Sequence, residues 1–271
     1  MSEELSTASL KGLVRFPFQD GKWAGRFLIG SLLTLANYII PILPSIFVSG
    51  YILRVMRQTI AGEEPTLPTW DDWGRMFKEG LGAMVVSLVY FLPALLVLIG
   101  GMVLYFVGIL YLPFTASASA QPEETLMLMP IFTFGSMGIM FLSMFLGTLF
   151  SLLGALVVPV ALGHFVSQGE LRAAFRIRQW WRILKADKLG YFVTWVVMAG
   201  LMGMVYVGFM LAYSTIVLCC LLPILMAPFG LYIMLVGSAL FGQTYHESQT
   251  LLRRNDQGHE LDPATEPVDE P

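Results

Sequence analysis

Two adjacent aspartates between two tryptophans are the first side chains in this 271-residue sequence that could do chemistry. Asp71 and Asp72 follow Trp70 and precede Trp73, within a polar segment, 62–80, that has apolar sequence on both sides. A pair of carboxylates can act as general acid and base, but neighbouring residues on a helix point about 100° apart. We therefore expect these acids to cap a helix, and the four side chains to form a contact for a cytoplasmic partner.

Few other titratable groups lie in or beside the apolar sequence. His164 lies near the end of one apolar run, and His246 and Glu247 lie near the end of the last one. An ionisable group inside a membrane is a functional candidate by default, although we expect these histidines to be structural. The only cysteines, Cys219 and Cys220, are adjacent, which excludes a disulfide framework.

The sequence contains no known catalytic motif. It has no H-E-x-x-H, no G-x-S-x-G, no Walker loop and no zinc-ligand spacing. We therefore expect neither an enzyme activity nor a cofactor nor a metal ion.

The composition is that of a membrane protein. Hydrophobic residues make up 56% of the chain and charged residues 13%, against about 25% charged residues in a soluble domain. Such a chain cannot cover its own surface with polar groups, so it needs lipid around it. The formal net charge is -3, and no basic excess indicates a nucleic-acid partner.

The apolar stretches predict an all-α integral membrane protein with about six membrane helices in three hairpins. The stretches 81–165 and 189–247 each fit two crossings of roughly 20 residues. The stretch 27–53 is shorter and is interrupted by Pro41 and Pro44, which break helices. It forms either two short crossings, a re-entrant hairpin or one long crossing.

Interfacial amphipathic helices are expected between the hairpins. In the polar segment, Thr69 and Asp72 resemble a capping box, and Trp70, Trp73 and Phe77 recur at helical spacing. A second such helix is predicted over 171–188. Its cations are expected to contact anionic lipid headgroups, at about 1 kcal/mol each: Arg172, Arg176, Arg178, Arg182 and Lys185.

Small residues recur every four positions along the apolar run 126–165. They are Ser143, Gly147, Ser151 and Ala155. Such a stripe lets a second helix approach closely, so we expect it to pack, with the lining of a solute path as the alternative.

The 16 cations fall into four clusters, with none between 79 and 171 or between 189 and 252. The clusters are 11–26, 54–78, 172–188 and 253–254. Positive residues favour the cytoplasmic side, so both termini are predicted to be cytoplasmic. A single crossing by 27–53 would instead place 54–78 outside.

Three parts are expected along the chain. Residues 1–9 form a flexible tail, 10–247 a single helical membrane domain, and 248–271 a disordered tail rich in acidic residues and proline.

Several motifs in the first third of the chain resemble one family. They are R-F-P-F-Q-D-G-K-W (15–23), L-I-G-S-L-L (28–33), G-Y-I-L-R-V-M-R (50–57) and G-E-E-P-T-L-P-T-W-D-D-W-G (62–74). The chain resembles the prokaryotic domain of unknown function 4013, from about Leu10 to Glu247. The resemblance implies a multi-pass protein of the prokaryotic cell membrane and no activity, so it assigns no functional residue.

Two functions remain open from the sequence. The first is a non-enzymatic scaffold or accessory subunit whose basic interfacial helices lie on the cytoplasmic face, with a membrane or cytoplasmic protein as partner. The alternative is a transporter or channel for a small or lipidic solute, because helices broken by proline often form binding sites at the membrane midplane.

Overall fold

The structure is a computed structural model, and it is all-helical over the residues it describes, as predicted. Those residues are 7–111, 114, 118, 122–213 and 216–260. Their side chains are described except at 7–10, 111, 122–127, 216–220 and 258–260. The α-helices are α1 (Thr7–Arg15), α2 (Trp23–Ala36), α3 (Leu43–Ile60), α4 (Trp73–Phe106), α5 (Pro122–Gln168), α6 (Ile177–Ala186), α7 (Lys188–Tyr213) and α8 (Ile216–Glu260). Short 3-10 turns lie at Phe16–Phe18 and Leu171–Phe175, and a π-helical turn at Val107–Tyr111.

Among the described residues, four helices are long and apolar enough to cross a membrane. The segments are Trp73–Leu110, Leu128–Gln168, Lys188–Tyr213 and Leu221–Gln257. The first apolar stretch adds none to this set, because the 14 residues of α2 fall short of the roughly 20 that a crossing needs, and α3 contains two arginines near its end. Four candidate spans therefore take the place of the expected six.

The chain divides into two compact units. In the smaller one, Ser87–Val158, glycines of one helix face serines of the next. A β-carbon on Gly101 would overlap Ser143, and one on Gly108 would overlap Ser136. Both pairs repeat after seven residues, so small side chains keep the two helices close over two turns.

The core of the larger unit surrounds α8. Helices α1, α2, α3, α6 and α7 all pack against it. The buried core contains side chains from α3, from the polar segment, from α4 and from α8, including Tyr51, Leu67, Met76 and Leu235. Burial in this unit thus joins elements from both ends of the chain.

The polar segment does not form a separate interfacial helix. Residues 63–72 contain no helix, and α4 then begins at Trp73 and continues without a break to Phe106. Asp72 is the cap: its Oδ1 accepts the backbone N–H of Arg75 at 3.1 Å, so the predicted cap at Thr69 is wrong. Apolar sequence follows directly, which leaves nothing to end the helix at the interface.

The predicted tail is helical where the structure describes it. α8 runs to Glu260, so the expectation of disorder from residue 248 is wrong for 248–260. Ser248 is buried and donates to the Thr244 carbonyl, and the following Gln, Leu and Arg residues are good helix formers. Residues 261–271 and most of the predicted 1–9 tail lie outside the described residues.

Candidate functional site

The polar segment 62–80, here called the elbow, is tied down by an aromatic stack. The rings of Trp70 and Tyr51 lie 4.0 Å apart, with planes inclined by 2°. Trp70 donates its Nε1 hydrogen to the Arg26 carbonyl at 2.9 Å, and Tyr51 donates its hydroxyl hydrogen to the Pro68 carbonyl at 3.0 Å. Trp70 therefore links α2 and α3 and is half-buried, whereas the sequence placed it on the lipid-facing side of a helix.

Arg54 of α3 is the centre of the acidic pair. Its guanidinium lies 3.6 Å from Asp71 Oδ1 and 3.4 Å from Asp72 Oδ2. It also donates to the carbonyl of Asp72 at 3.1 Å and to that of Thr69 at 3.4 Å. The side chain of Arg54 is only 15% exposed, so the acids serve to balance a nearly buried cation.

The two aspartates have different second roles. Asp72 caps α4. The Thr69 hydroxyl donates to Asp71 Oδ2 at 2.6 Å and holds the pKa of the Asp71 carboxyl below its usual value. Each carboxylate thus stays ionised, and each has a structural partner. This geometry does not provide the proton shared between two carboxyl groups that acid–base chemistry needs.

A second ion-pair cluster joins α3 to α4. Glu79 accepts two hydrogen bonds from Arg57, at 2.9 and 3.2 Å, and one from Arg75 Nε at 2.8 Å. Beside it the backbones touch: β-carbons on Gly50 and Gly80 would overlap the carbonyls of Met76 and Ile46 respectively. Glycine is therefore required at both positions. The sequence analysis did not single out Arg54, Arg57 or Glu79, although the spacing of the two arginines on α3 was visible.

A cavity of about 650 Å³ lies over these ion pairs. It is lined by Arg54, Arg57, Gln58, Ala61, Glu63, Pro68, Asp71, Asp72 and Arg75. Next to it, Trp73 is 41% exposed and lies at 5.3 Å from the Phe47 ring. The exposed part of the elbow is thus a half-open tryptophan beside two carboxylates.

A larger cavity, of about 740 Å³, lies between α1, the end of α3, the elbow and α8. Its titratable lining is acidic: Asp20, Glu63, Glu64 and Glu247, with His246. The imidazole of His246 donates from Nδ1 to the Ile60 carbonyl at 2.8 Å. Within the part of the chain that the structure describes, no three His, Cys, Asp or Glu side chains are placed to hold a metal ion.

His164 is nearly buried in a hydrogen-bond network. Its Nδ1 lies 2.7 Å from the Tyr245 hydroxyl, and its Nε2 lies 3.1 Å from Gln179 Oε1. Ser167 and Gln249 complete the network at the same hydroxyl. A neutral imidazole satisfies it, with Nε2–H donating to Gln179 and Nδ1 accepting from Tyr245, so His164 joins α5 to α6 and α8.

The basic segment 171–188 forms a 3-10 turn followed by α6. Trp180 and Ile183 are buried, while Trp181 is 44% exposed with the Lys185 ammonium 5.5 Å from its ring centre. Two cations are paired: Arg176 lies 3.6 Å from Glu170 and Arg182 lies 4.0 Å from Asp256. Over the described residues Arg172 and Arg178 have no ion pair. All five predicted headgroup contacts are exposed: Arg172, Arg176, Arg178, Arg182 and Lys185.

The small-residue stripe lies in the unit Ser87–Val158. Ser143 faces Gly101, and Gly147 packs against Leu98. Ser151 and Ala155 are half-buried on the same helix.

Comparison with known proteins decides the family. A family model described as "Protein of unknown function (DUF4013)" matches residues 33–217, more than half of the chain. The chain belongs to this family. The resemblance drawn from the sequence is thereby confirmed, over a shorter range than 10–247. No curated protein matches the chain, and no solved structure matches it.

The DUF4013 match divides the site. It includes the elbow, the arginines of α3 that hold it, and all of the basic segment 171–188. It leaves out the motif 15–23, most of α2 and nearly all of α8. The ion pairs between α3 and the elbow are therefore formed by residues within the region that defines the family, while the α8 scaffold beneath them lies outside it.

Proposed function

We propose that this DUF4013 protein is a multi-pass protein of the prokaryotic cell membrane with both termini in the cytoplasm. Four helices cross, so of the three expected hairpins the second and third span the bilayer, and the α2–α3 pair enters from the cytoplasmic side. The four cation clusters support this placement, because each lies at an end of the candidate spans or between them. An even number of crossings then separates every two clusters.

We propose that it acts as a non-enzymatic scaffold or accessory subunit, with the elbow as the contact for a protein partner. The observation that carries this proposal is the anchoring of the elbow by Arg54. A segment held by Arg54 and by the Trp70 stack is ordered before it meets a partner, so binding costs little ordering entropy. Trp73 supplies an exposed aromatic anchor. Asp71 and Asp72 beside it favour a partner segment that presents a cation next to an apolar side chain.

The basic segment 171–188 has a different proposed role. Its exposed cations surround exposed apolar side chains such as Ile177 and Trp181. That mixture suits the headgroup region of a membrane. Anionic lipid headgroups are the proposed ligands, and they would hold this side of the protein against the cytoplasmic leaflet.

A solute transporter is the weaker alternative. It rested on helices broken by proline, yet Pro93, Pro223 and Pro228 lie inside continuous helices. A scaffold needs no broken helix, so the continuous helices favour it.

Affinity purification in mild detergent followed by mass spectrometry tests the scaffold role. The full chain is expected to recover a protein at constant stoichiometry, and Trp73→Ala should reduce that recovery several-fold. Trp181→Ala is the matched control, because its indole is exposed to a similar extent on another surface. Recovery of the lone protein together with solute flux in liposomes would overturn the scaffold role. Equal loss in both variants would remove the elbow as the contact.

Thiol labelling tests the topology. On a background with Cys219 and Cys220 replaced by alanine, single cysteines are placed at Thr66, Ser117 and Gln257. An impermeant maleimide added to intact cells is expected to label only the variant at Ser117, a sequence position outside the described residues. Labelling at Thr66 would contradict the cytoplasmic placement of the elbow.

A further inference from the structure

The connection between α2 and α3 is the most exposed apolar part of the larger unit. Residues 37–43, here called the tip, contain apolar side chains that are more than half exposed, with Ile39 at 82%. The others are Tyr38, Ile40, Ile42 and Leu43. The opposite ends of the same two helices carry cations: Lys22, Arg26, Arg54 and Arg57. The pair is therefore polar at one end and apolar at the other.

The backbone at the tip also favours an apolar environment. Ile42 has a φ of 81°, a left-handed conformation that β-branched residues rarely adopt. A glycine would adopt it without strain. An isoleucine at such a position loses conformational energy, which transfer of its side chain from water to hydrocarbon would offset.

Contacts with α8 give the depth that α3 reaches. A β-carbon on Gly242 would lie 2.8 Å from the Met56 carbonyl, and His246 binds the Ile60 carbonyl. Both pairs are 186 positions apart (242 − 56 and 246 − 60), so α3 and α8 run parallel. The same offset places Leu43, the first residue of α3, level with Phe229. The uncharged run of α8 extends from Ile216 to Gly242, so the tip lies at its middle.

Contacts with α4 lead to the same depth independently. Gly50 meets Met76 and Gly80 meets Ile46, and the constant sum of 126 shows that these helices are antiparallel. Residue 43 is then level with residue 83. Counted from Trp73, the tip is ten residues deep on α4, and counted from Gln243 it is 14 residues deep on α8. At ~1.5 Å per residue these depths are about 15 and 21 Å, roughly half of a ~30 Å hydrocarbon core.

We propose that α2–α3 is a re-entrant hairpin that enters the cytoplasmic leaflet and ends near the bilayer midplane, where the tip contacts lipid acyl chains. The hairpin adds apolar volume to one leaflet only, and its cationic base lies among the headgroups of the same leaflet. This inference rests on the proposed cytoplasmic position of the basic clusters. Nothing in it depends on the protein partner of the elbow.

Depth-dependent quenching of a fluorophore tests the hairpin. Ile39→Cys and, as a second probe, Tyr38→Cys are made in the full chain without its native cysteines. Each is labelled with a small fluorophore and reconstituted in vesicles of phosphatidylcholine and phosphatidylglycerol. Phosphatidylcholines brominated near the headgroup or near the chain end are then compared. Gly200→Cys, exposed near the middle of α7, is the midplane control, and Thr66→Cys is the aqueous control.

Both tip probes are expected to lose more fluorescence with bromine near the chain end, in the same ratio as Gly200→Cys. Stronger quenching by bromine near the headgroup would overturn the hairpin depth, whether the tip crosses fully or stays at the surface. If Gly200→Cys itself showed shallow quenching, the membrane spans of the proposed function would fail instead. The two failures are therefore distinguishable.

Discussion

Trp70 lies flat against Tyr51, although 19 positions separate them in the chain, and each donates a hydrogen bond to a backbone carbonyl on the far side of the other. The stack fixes the irregular half of the elbow to α2 and α3. It explains why a segment with two prolines and no regular structure holds one position. The same anchoring leaves Trp73 as the tryptophan of the elbow that faces outward.

Truncation of the stacked indole should destabilise the protein. Trp70→Ala removes the ring contact and the hydrogen bond to Arg26, and aromatic truncations of this kind cost about 3–5 kcal/mol in packed sites. The thermal unfolding midpoint in detergent is expected to fall markedly. Trp73→Ala is the control, since an exposed ring contributes less. Equal shifts for both variants would show that the Trp70 stack does not hold the elbow.

Arg57 and Glu79 should be energetically coupled. Their paired hydrogen bonds lie where Glu79 is only 15% exposed, and charge-assisted bonds in such places contribute about 1–3 kcal/mol. A double-mutant cycle with Arg57→Gln and Glu79→Gln, measured by chemical denaturation in detergent, should recover that coupling. The cycle for Arg75 and Glu79, an exposed pair four residues apart on one helix, should give only about 0.3–0.5 kcal/mol. The reverse order of the two couplings would contradict the geometry.

The close approach of α3 and α4 should not tolerate a methyl group. Gly80→Ala places a β-carbon against the Ile46 carbonyl, which is backbone and cannot rotate away. Overpacking of this kind costs about 1–3 kcal/mol. Gly74→Ala in the same helix meets nothing within 4 Å, so its thermal midpoint should stay the same or rise slightly because alanine favours helix. A neutral Gly80→Ala variant would mean that the helices are further apart.

Lipid binding by the basic segment should depend on charge. Replacing Arg172 and Arg178 with glutamine removes two exposed cations that have no ion pair in the described residues. Retention of phosphatidylglycerol in native mass spectrometry is expected to fall by at least tenfold, since each cation near an anionic surface contributes about 1 kcal/mol. The control replaces Arg75, which is exposed but pairs with Glu79. An unchanged lipid occupancy in the double variant would exclude these two arginines as headgroup contacts.

Much of the fold could be predicted from hydropathy and charge. The all-helical class is confirmed over the described residues, and four of the six expected crossings correspond to helices long and apolar enough to span a membrane. The cap of α4 was half right, since an acid of the elbow does cap the helix, but it is Asp72 acting without Thr69. The error has a local cause, because several neighbouring side chains can accept from the same N–H groups and only the helix start decides between them.

The amino-acid sequence by itself determined where apolar helices form and which side of them is basic, because helix length and hydropathy depend on consecutive residues. Only the tertiary structure decided that Asp71 and Asp72 balance Arg54, that Trp70 packs on Tyr51, and that the first hairpin ends level with Phe229. These relationships join positions from about 17 to 186 residues apart. They depend on how two helices slide past each other, and that register is set by glycine contacts and buried ion pairs that no local pattern encodes.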